Sequence, residues 1–447
     1  MDPKLPPQDL AAEQSVLGSL MIDKNAIIKV ADFLLPIDFY KPSHQKIYEA
    51  ALKLFEKSEP IDLLSVSAQL KKNKALESIG GSGYLADLVN SVPTAANVHH
   101  YATIVRQKRI LRDLITFSAD VSEQAFKESE FEPLIDQVEQ RIFNLSQYSR
   151  PRKFINVQEE LKLAYERIEK LHQGGEALRG LASGFSGLDK YLSGLQKSDL
   201  IILGARPSYG KTSLALDIAR QAAFLNQKSV GVFSLEMSKE QIVDRLIAAE
   251  GGVPLWRLRT GKLNSEMDFN MIQSALDRLS QMPIFIDDSP SPNIFEIRSA
   301  ARRLQIEHGL SLLVVDYLQL IQPRTNSDSM VHQITEVSRG LKALARELDI
   351  PVLALSQLSR EVDKREVKLP KLSDLRESGS IEQDADVVLF IYRKDRDRLD
   401  LAQEEQNLTD VIIAKHRNGP LGTVKLRFNQ DTVSFQNIDT IHKEEQI

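Results

Sequence analysis

Over the first 150 positions apolar residues recur three and four apart. Leu10, Val16, Leu17, Leu20 and Met21 make one stripe, and Ile47, Ala50, Ala51 and Leu54 another. That spacing stacks side chains on one face of an α-helix. Pro36, Pro42, Pro60 and the cluster Gly80-Gly81-Ser82-Gly83 separate short elements. From Val98 to Ser146 the pattern lengthens, with Tyr101, Ile104, Val105, Ile110, Leu111, Leu114 and Ile115 on its apolar side, and predicts a helical hairpin. Residues 1–150 are expected to form an all-α N-terminal domain.

Residues 151–182 have a different texture and are expected to be a linker. Pro151-Arg152-Lys153 breaks the preceding helix. Val157, Leu161, Ala164, Ile168 and Leu171 then repeat between charged neighbours as one amphipathic helix, with Gly174, Gly175 and Gly180 as flexible joints. A single helix cannot bury its stripe against itself. It docks either on its own domain or on a neighbouring subunit, and spacing does not choose between them.

From Ser183 to the C-terminus short apolar runs alternate with helical patterns. Leu200–Leu203, Val230–Leu235, Ile284–Ile286, Leu312–Val315, Val352–Leu355 and Val387–Ile391 read as strands. Ser213–Leu225, Glu240–Ala249, Met267–Gln281, Phe295–Glu307 and Ile334–Leu348 read as helices. Apolar strands separated by crossover helices imply an α/β domain, a mostly parallel sheet covered on both faces. Asp410–Lys415, the turn Asn418-Gly419-Pro420 and Thr423–Phe428 predict an antiparallel hairpin at the sheet edge.

Composition narrows the class. With 42% hydrophobic and 27% charged residues in 447, sizeable cores are expected in two or three domains. The net charge of −5 gives no global basic signature, so any nucleic-acid surface must be local or assembled from several subunits. The absence of cysteine removes disulfides and thiolate metal sites and suits a reducing compartment. Met1–Gln14 has no basic and apolar leader pattern, and no apolar run approaches the roughly 18 residues of a membrane span. A cytoplasmic protein with no membrane partner is expected. His44, His99 and His100 lack a further partner at metal-ligand spacing and are expected to be structural or surface residues.

The chemistry centres on one junction. The strand Leu200–Leu203 leads into the turn Ala205-Arg206-Pro207-Ser208-Tyr209-Gly210-Lys211-Thr212, and the turn into a helix. Strand, glycine-lysine-threonine turn and helix form a phosphate loop, whose backbone N–H groups and positive helix end surround an anion. Ser208, Gly210, Lys211, Thr212 and Ser213 are therefore candidate ATP contacts. Lys211 reaches the β- and γ-phosphates and the Thr212 hydroxyl can ligate Mg²⁺. Ala205 stands where the pattern usually has its first glycine, which alanine tolerates if its φ stays negative.

In a doubly wound sheet ligands sit beyond the carboxyl ends of the strands. The residues that emerge there are Glu236, with Met237 and the N-cap candidate Ser238, then Asp316, then Ser356 and Gln357. Glu236 suits a general base, Asp316 a Mg²⁺ carboxylate acting through water, and Gln357 a hydrogen-bonding contact to the γ-phosphate. Lys415-His416-Arg417, at the end of a hairpin strand, reads either as a solvated basic tip or as a cation offered to a neighbour's nucleotide. The long polar segment between Gln357 and Val387 reads as a functional loop. Its Arg376 and the backbone around Gly379 suit phosphate contacts along a strand, without aromatic residues for base stacking.

In order along the chain, GARPSYGKT, VFSLEMS, LLVVDYLQL, LALSQLSR, LRESGSIEQDAD and AKHRNGP resemble the bacterial replicative DNA helicases of the DnaB family, whose motor domain is RecA-like. The resemblance covers N-terminal domain, linker and motor (residues 183–447). It implies that Lys211 and Thr212 bind ATP and Mg²⁺, that Glu236 is catalytic, and that Asp316 and Gln357 are metal acid and sensor. It further implies a nucleotide contact at Arg245, residues Lys415 and Arg417 donated across a subunit interface, and single-stranded DNA held by Arg376, Glu377 and Gly379. A homohexameric ring moving 5′→3′ on one strand at the replication fork is implied, with linker helices docked on adjacent subunits, a primase bound by the N-terminal collar, and a helicase loader. A recombinase on the same motor fold, or a nucleotide-dependent scaffold that does not unwind, are the competing readings.

Overall fold

The computed structural model describes residues 5–92, 94–127, 134, 138, 141, 156–173, 178–263, 265–322, 330–365, 368–375, 379–394 and 406–438. The chain divides into two compact units, Met1–Glu160 and Leu161–Ile447.

In the first unit α1 (Leu10–Ile22), α2 (Pro42–Glu56), α3 (Leu63–Lys72), α4 (Gly81–Asn90) and α5 (Val98–Phe126) surround one apolar core. Asp9 and Asp62 cap α1 and α3 through Ala12 N and Ser65 N, at 3.0 and 2.8 Å. These bonds satisfy N–H groups that a helix start leaves orphaned. Gly18 lets α1 run against α4, since a Cβ there would lie 2.2 Å from the Leu88 carbonyl oxygen. His44 is fully buried between the Glu13 carboxylate (2.6 Å) and the Tyr84 hydroxyl (2.7 Å), a structural clasp between helices. His99 and His100 are exposed. The expected apolar face of α5 is buried only over its first turns, at Val98, Ala102 and Val105, whereas Leu111, Leu114 and Ile115 are exposed because the helix outruns the core beneath it. The second half of the expected hairpin lies largely outside the described residues.

Helix α6 (Val157–Gln173) forms over the predicted stripe, and Val157, Leu161 and Ile168 are each more than half exposed. Gly174 and Gly175 lie outside the described residues. Gly180 is no flexible joint: its N–H donates to Ser193 O at 2.9 Å, and a Cβ would meet Leu195 O at 2.5 Å.

The second unit is built on one sheet in the order β3-β2-β4-β5-β1-β6-β7-β8-β9. The strands are β1 (Leu200–Ala205), β2 (Ser229–Ser234), β3 (Ile284–Asp287), β4 (Leu310–Asp316), β5 (Val352–Gln357), β6 (Val387–Tyr392), β7 (Leu408–His416), β8 (Gly422–Asn429) and β9 (Ser434–Asn437). From β3 to β6 all pairings are parallel, and β6 to β9 pair antiparallel. One face is covered by α7 (Ser186–Leu192), α8 (Lys211–Asn226) and α9 (Lys239–Gly251), as Leu188, Leu214, Ile218 and Leu246 show by their burial. The other is covered by α12 (Ile294–His308) and α13 (Met330–Leu348), through Ile297, Leu341 and Leu344. Between them come α10 (Leu255–Thr260) and α11 (Glu266–Ser280). Parallel strands buried on both faces need no polar alternation, which is why β1 and β2 are buried at every position.

The expected antiparallel hairpin forms as β7 and β8 beyond β6, and one further strand extends the sheet past it. β7 lies between β6 and β8, and the sheet ends on β9, so Lys415 is on an interior strand. The added strand β9 reaches the phosphate loop. Phe435 N donates to Asp217 Oδ2 on α8 at 2.7 Å, and the Phe435 ring lies under Gly210. Burial pushes the Asp217 carboxyl up to about 6, against the opposing pull of Arg220. The segment expected to be one long loop holds short helices at Arg360–Lys364 and Leu372–Asp374, a bridge between Leu358 and Leu375, and α14 (Gly379–Asp384).

Candidate nucleotide site

A cleft of about 500 Å³ opens beyond the carboxyl ends of β1, β2 and β5. Its floor is the loop between β1 and α8. Ala205 closes β1 and Gly210 caps α8, with Ser208 and Gly210 left-handed at φ 67° and 92°. Ala205 is not among the positive-φ residues, which is why alanine serves there. Gly210 has two reasons to be glycine: its φ, and the Phe435 ring 2.9 Å from where a Cβ would stand.

Sheet register brings the candidate polar groups together. Ala205 is directly opposite Gln357, and Ser234 opposite Asp316, so β1, β5, β2 and β4 deliver their ends to one place. Thr212 Oγ1 donates to Asp316 Oδ2 at 2.6 Å, and Lys211 Nζ is 3.3 Å from Asp316 Oδ1. The same ammonium lies 4.0 Å from the centroid of the Tyr317 ring. Burial, then Glu236 and Asp316, hold the Tyr317 hydroxyl above its usual range. Arg245, on α9, donates to Ser213 Oγ at 3.2 Å. Burial and the nearby Arg259 push its guanidinium down, and the Asp316 and Glu236 charges oppose them. Glu236 is exposed at the cleft wall. Ser238 occupies the N-cap position of α9 without a capping hydrogen bond from its side chain.

A divalent cation fits this donor set. Asp316 Oδ1 is buried and accepts no hydrogen bond, its near cation being Lys211 Nζ at 3.3 Å, while Thr212 supplies a hydroxyl beside the other oxygen. Hard oxygens of a carboxylate and a hydroxyl suit Mg²⁺.

Lys415 and Arg417, expected to serve a neighbour's nucleotide, do not line this cleft. Lys415 Nζ donates to the Ala385 carbonyl at 2.7 Å and to that of Glu382, and burial lowers its pKa. Arg417 pairs with Asp386 at 3.4 Å and with the Gln383 carbonyl. Arg376 and Glu377 lie outside the described residues, and Gly379 begins α14. Met237, beside Glu236, lines the cleft as its place after β2 implies; Arg206, Phe428, Gln430 and Val433 also line it and were not expected from sequence. Arg206 is held by Asp363 and by the Leu358 carbonyl. Its place inside the phosphate-loop turn was a usable signal, but nothing in the β8–β9 sequence marks Phe428 or Gln430.

The phosphate loop, the acid on the adjoining strand and the parallel sheet between two helical layers define a RecA-like P-loop nucleotide hydrolase. Comparison with known proteins narrows this. Residues 180–437 match the DnaB-like helicase C terminal domain and residues 5–107 the DnaB-like helicase N terminal domain. The chain is 46% identical to the replicative DNA helicase DnaB of Geobacillus stearothermophilus, over 99% of this chain and 98% of that one. It is 45% identical to the replicative DNA helicase DnaC of Bacillus subtilis, over 98% and 96%. A solved DnaB-like replicative helicase, described with its interactions with primase, superposes with a TM-score of 0.80 at 33% identity, covering 96% of this chain and 100% of that one. A second solved structure, an isolated ATPase domain, gives 0.61 at 38% identity, covering 64% of this chain and 100% of that one. The chain belongs to the DnaB family of replicative, ATP-dependent DNA helicases. Among the described residues no helix is long and apolar enough to cross a membrane.

Proposed function

We propose that this chain works in the cytoplasm as a homohexameric ring that encircles single-stranded DNA and moves 5′→3′ on it, unwinding the duplex at a replication fork. The observation that carries the reading is the meeting of Lys211, Thr212, Asp316 and Gln357 at the ends of three neighbouring strands. Lys211 offers its ammonium to the β- and γ-phosphates of ATP. Glu236, exposed at the cleft wall, takes the proton of the attacking water. Gln357 donates its amide to the γ-phosphate, and Arg245 steadies the loop side through Ser213. Thr212 and Asp316 are the residues that would hold Mg²⁺, which neutralises charge on the transferring phosphoryl group.

Lys415 and Arg417 serve the cleft of the adjacent subunit in this reading. The uncovered stripe of α6 docks on a neighbour, and the N-terminal unit receives a primase; a loader opens the ring onto DNA. A forked duplex with one defined single-stranded tail tests the whole. Unwinding should require the 5′ tail; filaments on DNA in place of rings favour the recombinase reading, and absence of DNA-stimulated hydrolysis favours the scaffold.

DNA is held in this reading by Arg376, Glu377 and the backbone at Gly379. Arg376→Ala should weaken single-strand binding at every sequence and reduce the salt slope of log K by about 0.7 for each phosphate that a subunit ceases to neutralise. Hydrolysis without DNA should remain within about twofold, because Arg376 is read as touching phosphates of the strand and not of the nucleotide. Binding titrations at several salt concentrations check this; an unchanged slope removes Arg376 from the DNA path.

A further inference from the structure

Strand β5 has β1 along one side to its very end, with Ala205 opposite Gln357, but β4 accompanies it on the other side only to Val315 opposite Ala354. There the chain leaves β4 at Asp316 and turns into the short helix Leu318–Leu320. The last residues of β5 therefore have a strand on one edge and none on the other. Backbone alternation decides which groups face the gap. Leu358 N donates to Ala205 O at 3.2 Å on the β1 side, so the N–H and C=O of Gln357, one residue back, face away from β1.

The side chain of Gln319 fills that place. Its Nε2 donates to the Gln357 carbonyl at 3.3 Å and to Ser356 Oγ at 3.0 Å, and its Oε1 accepts the Gln357 N–H at 3.4 Å. A carboxamide carries a donor and an acceptor side by side, so it can do for one residue what a neighbouring strand's backbone does along a ladder. Ser356, the third partner, is fully buried, and Gln319 itself is half-buried.

We infer that Gln319 is a positioning residue for Gln357. It fixes the backbone from which the Gln357 amide enters the nucleotide cleft and ties that backbone to the turn that begins at Asp316. This rests on the reading of Gln357 as the γ-phosphate contact. A shift of the Asp316 turn is thereby passed to Gln357 through two hydrogen bonds to its backbone, with a third to the adjoining Ser356, without contact between Gln319 and the nucleotide. Placement errors of about 1 Å at such a group cost up to a hundredfold in rate.

The test uses the full-length protein with ATP and a poly-dT oligonucleotide, comparing Q319M, Q357A and the double variant. Q319M keeps side-chain length and loses the amide. DNA-stimulated kcat should fall about tenfold in Q319M while KM for ATP stays within about twofold, and Q319M/Q357A should be no slower than Q357A alone, as coupled sites require. Wild-type turnover in Q319M beside a slow Q357A overturns the inference, and so does a double variant whose losses multiply. Wild-type turnover in Q357A itself removes the γ-phosphate reading, and the inference with it; that failure is visible in the single Q357A variant. If Q319M melts early, Q319E, which keeps Oε1 as an acceptor and puts a carboxylate oxygen with its charge in place of the donor, must show the same split between kcat and KM.

Discussion

Lys211→Ala is expected to lower DNA-stimulated ATP hydrolysis at least about a hundredfold and to abolish unwinding, the loss typical of one preorganised charge at a reacting centre. The ammonium sits where two features hold it, the Asp316 carboxylate at 3.3 Å and the Tyr317 ring at 4.0 Å, on a residue whose backbone is fixed as the first of α8. Side chains 12% and 4% exposed for Lys211 and Asp316 leave little water to take over the cation's role. Loss of the charge also strands the buried Asp316 carboxylate, which penalises the folded cleft. Lys211→Met separates the charge from the packing of the stem. It keeps an apolar stem on Tyr317 but strands Asp316 as Lys211→Ala does, so it should recover only the packing share of the melting temperature while leaving hydrolysis as low as in Lys211→Ala. Steady-state hydrolysis and thermal melting of both variants decide it; turnover in Lys211→Met close to wild type excludes a charge-based role.

Much of the motor unit was legible because its signals are local. An apolar run such as Leu200–Leu203 followed by Gly210-Lys211-Thr212 specifies strand, loop and helix within a few residues. Glu236, Asp316 and Gln357 stand out because each polar group directly follows an apolar strand, and sheet register then gathers them without further information. What sequence conceals depends on distant packing. β9 is only Ser434–Asn437, too short for a periodic signal, yet its Phe435 ring sits under Gly210 and its N–H is tied to Asp217 on α8. Without that strand the sheet ends on the hairpin itself, at β8. Phe428 and Gln430 line the cleft because of this third strand, not because of any motif. Gly180 looks like a hinge because glycine is permissive, whereas here it is required by the close approach of Leu195. The α5 stripe continues past its core, because periodicity says only which face is apolar and not how far a core extends beneath it.

The second large effect is expected at Arg417, and sheet geometry decides its form. β7 runs antiparallel to β6, with His416 opposite Val387. Arg417 N donates to Asp386 O at 2.9 Å, and Asp386 Oδ2 accepts from Leu200 N at 2.8 Å, the first residue of β1. The phosphate loop leaves the far end of β1, after Ala205. Roughly 17 Å of extended strand therefore separates Arg417 from its own cleft, beyond what the side chain spans. Any action on a γ-phosphate must be on another subunit's, where the guanidinium exchanges Asp386 for the developing phosphoryl charge. Arg417→Ala should accordingly retain ATP binding and lose about 10³-fold or more in turnover, the worth of a cation supplied in trans. Glu236→Gln should be equally slow for a different reason, since its own cleft lacks the base. Mixed before assembly, the two inactive variants should recover hydrolysis, because a Glu236-bearing cleft of the Arg417→Ala subunit meets an intact Arg417 from the Glu236→Gln subunit. Recovery that peaks at intermediate mixing ratios fits a shared site, whereas mixtures that stay inactive at every ratio return Arg417 to its ion pair with Asp386 and leave each cleft to work alone.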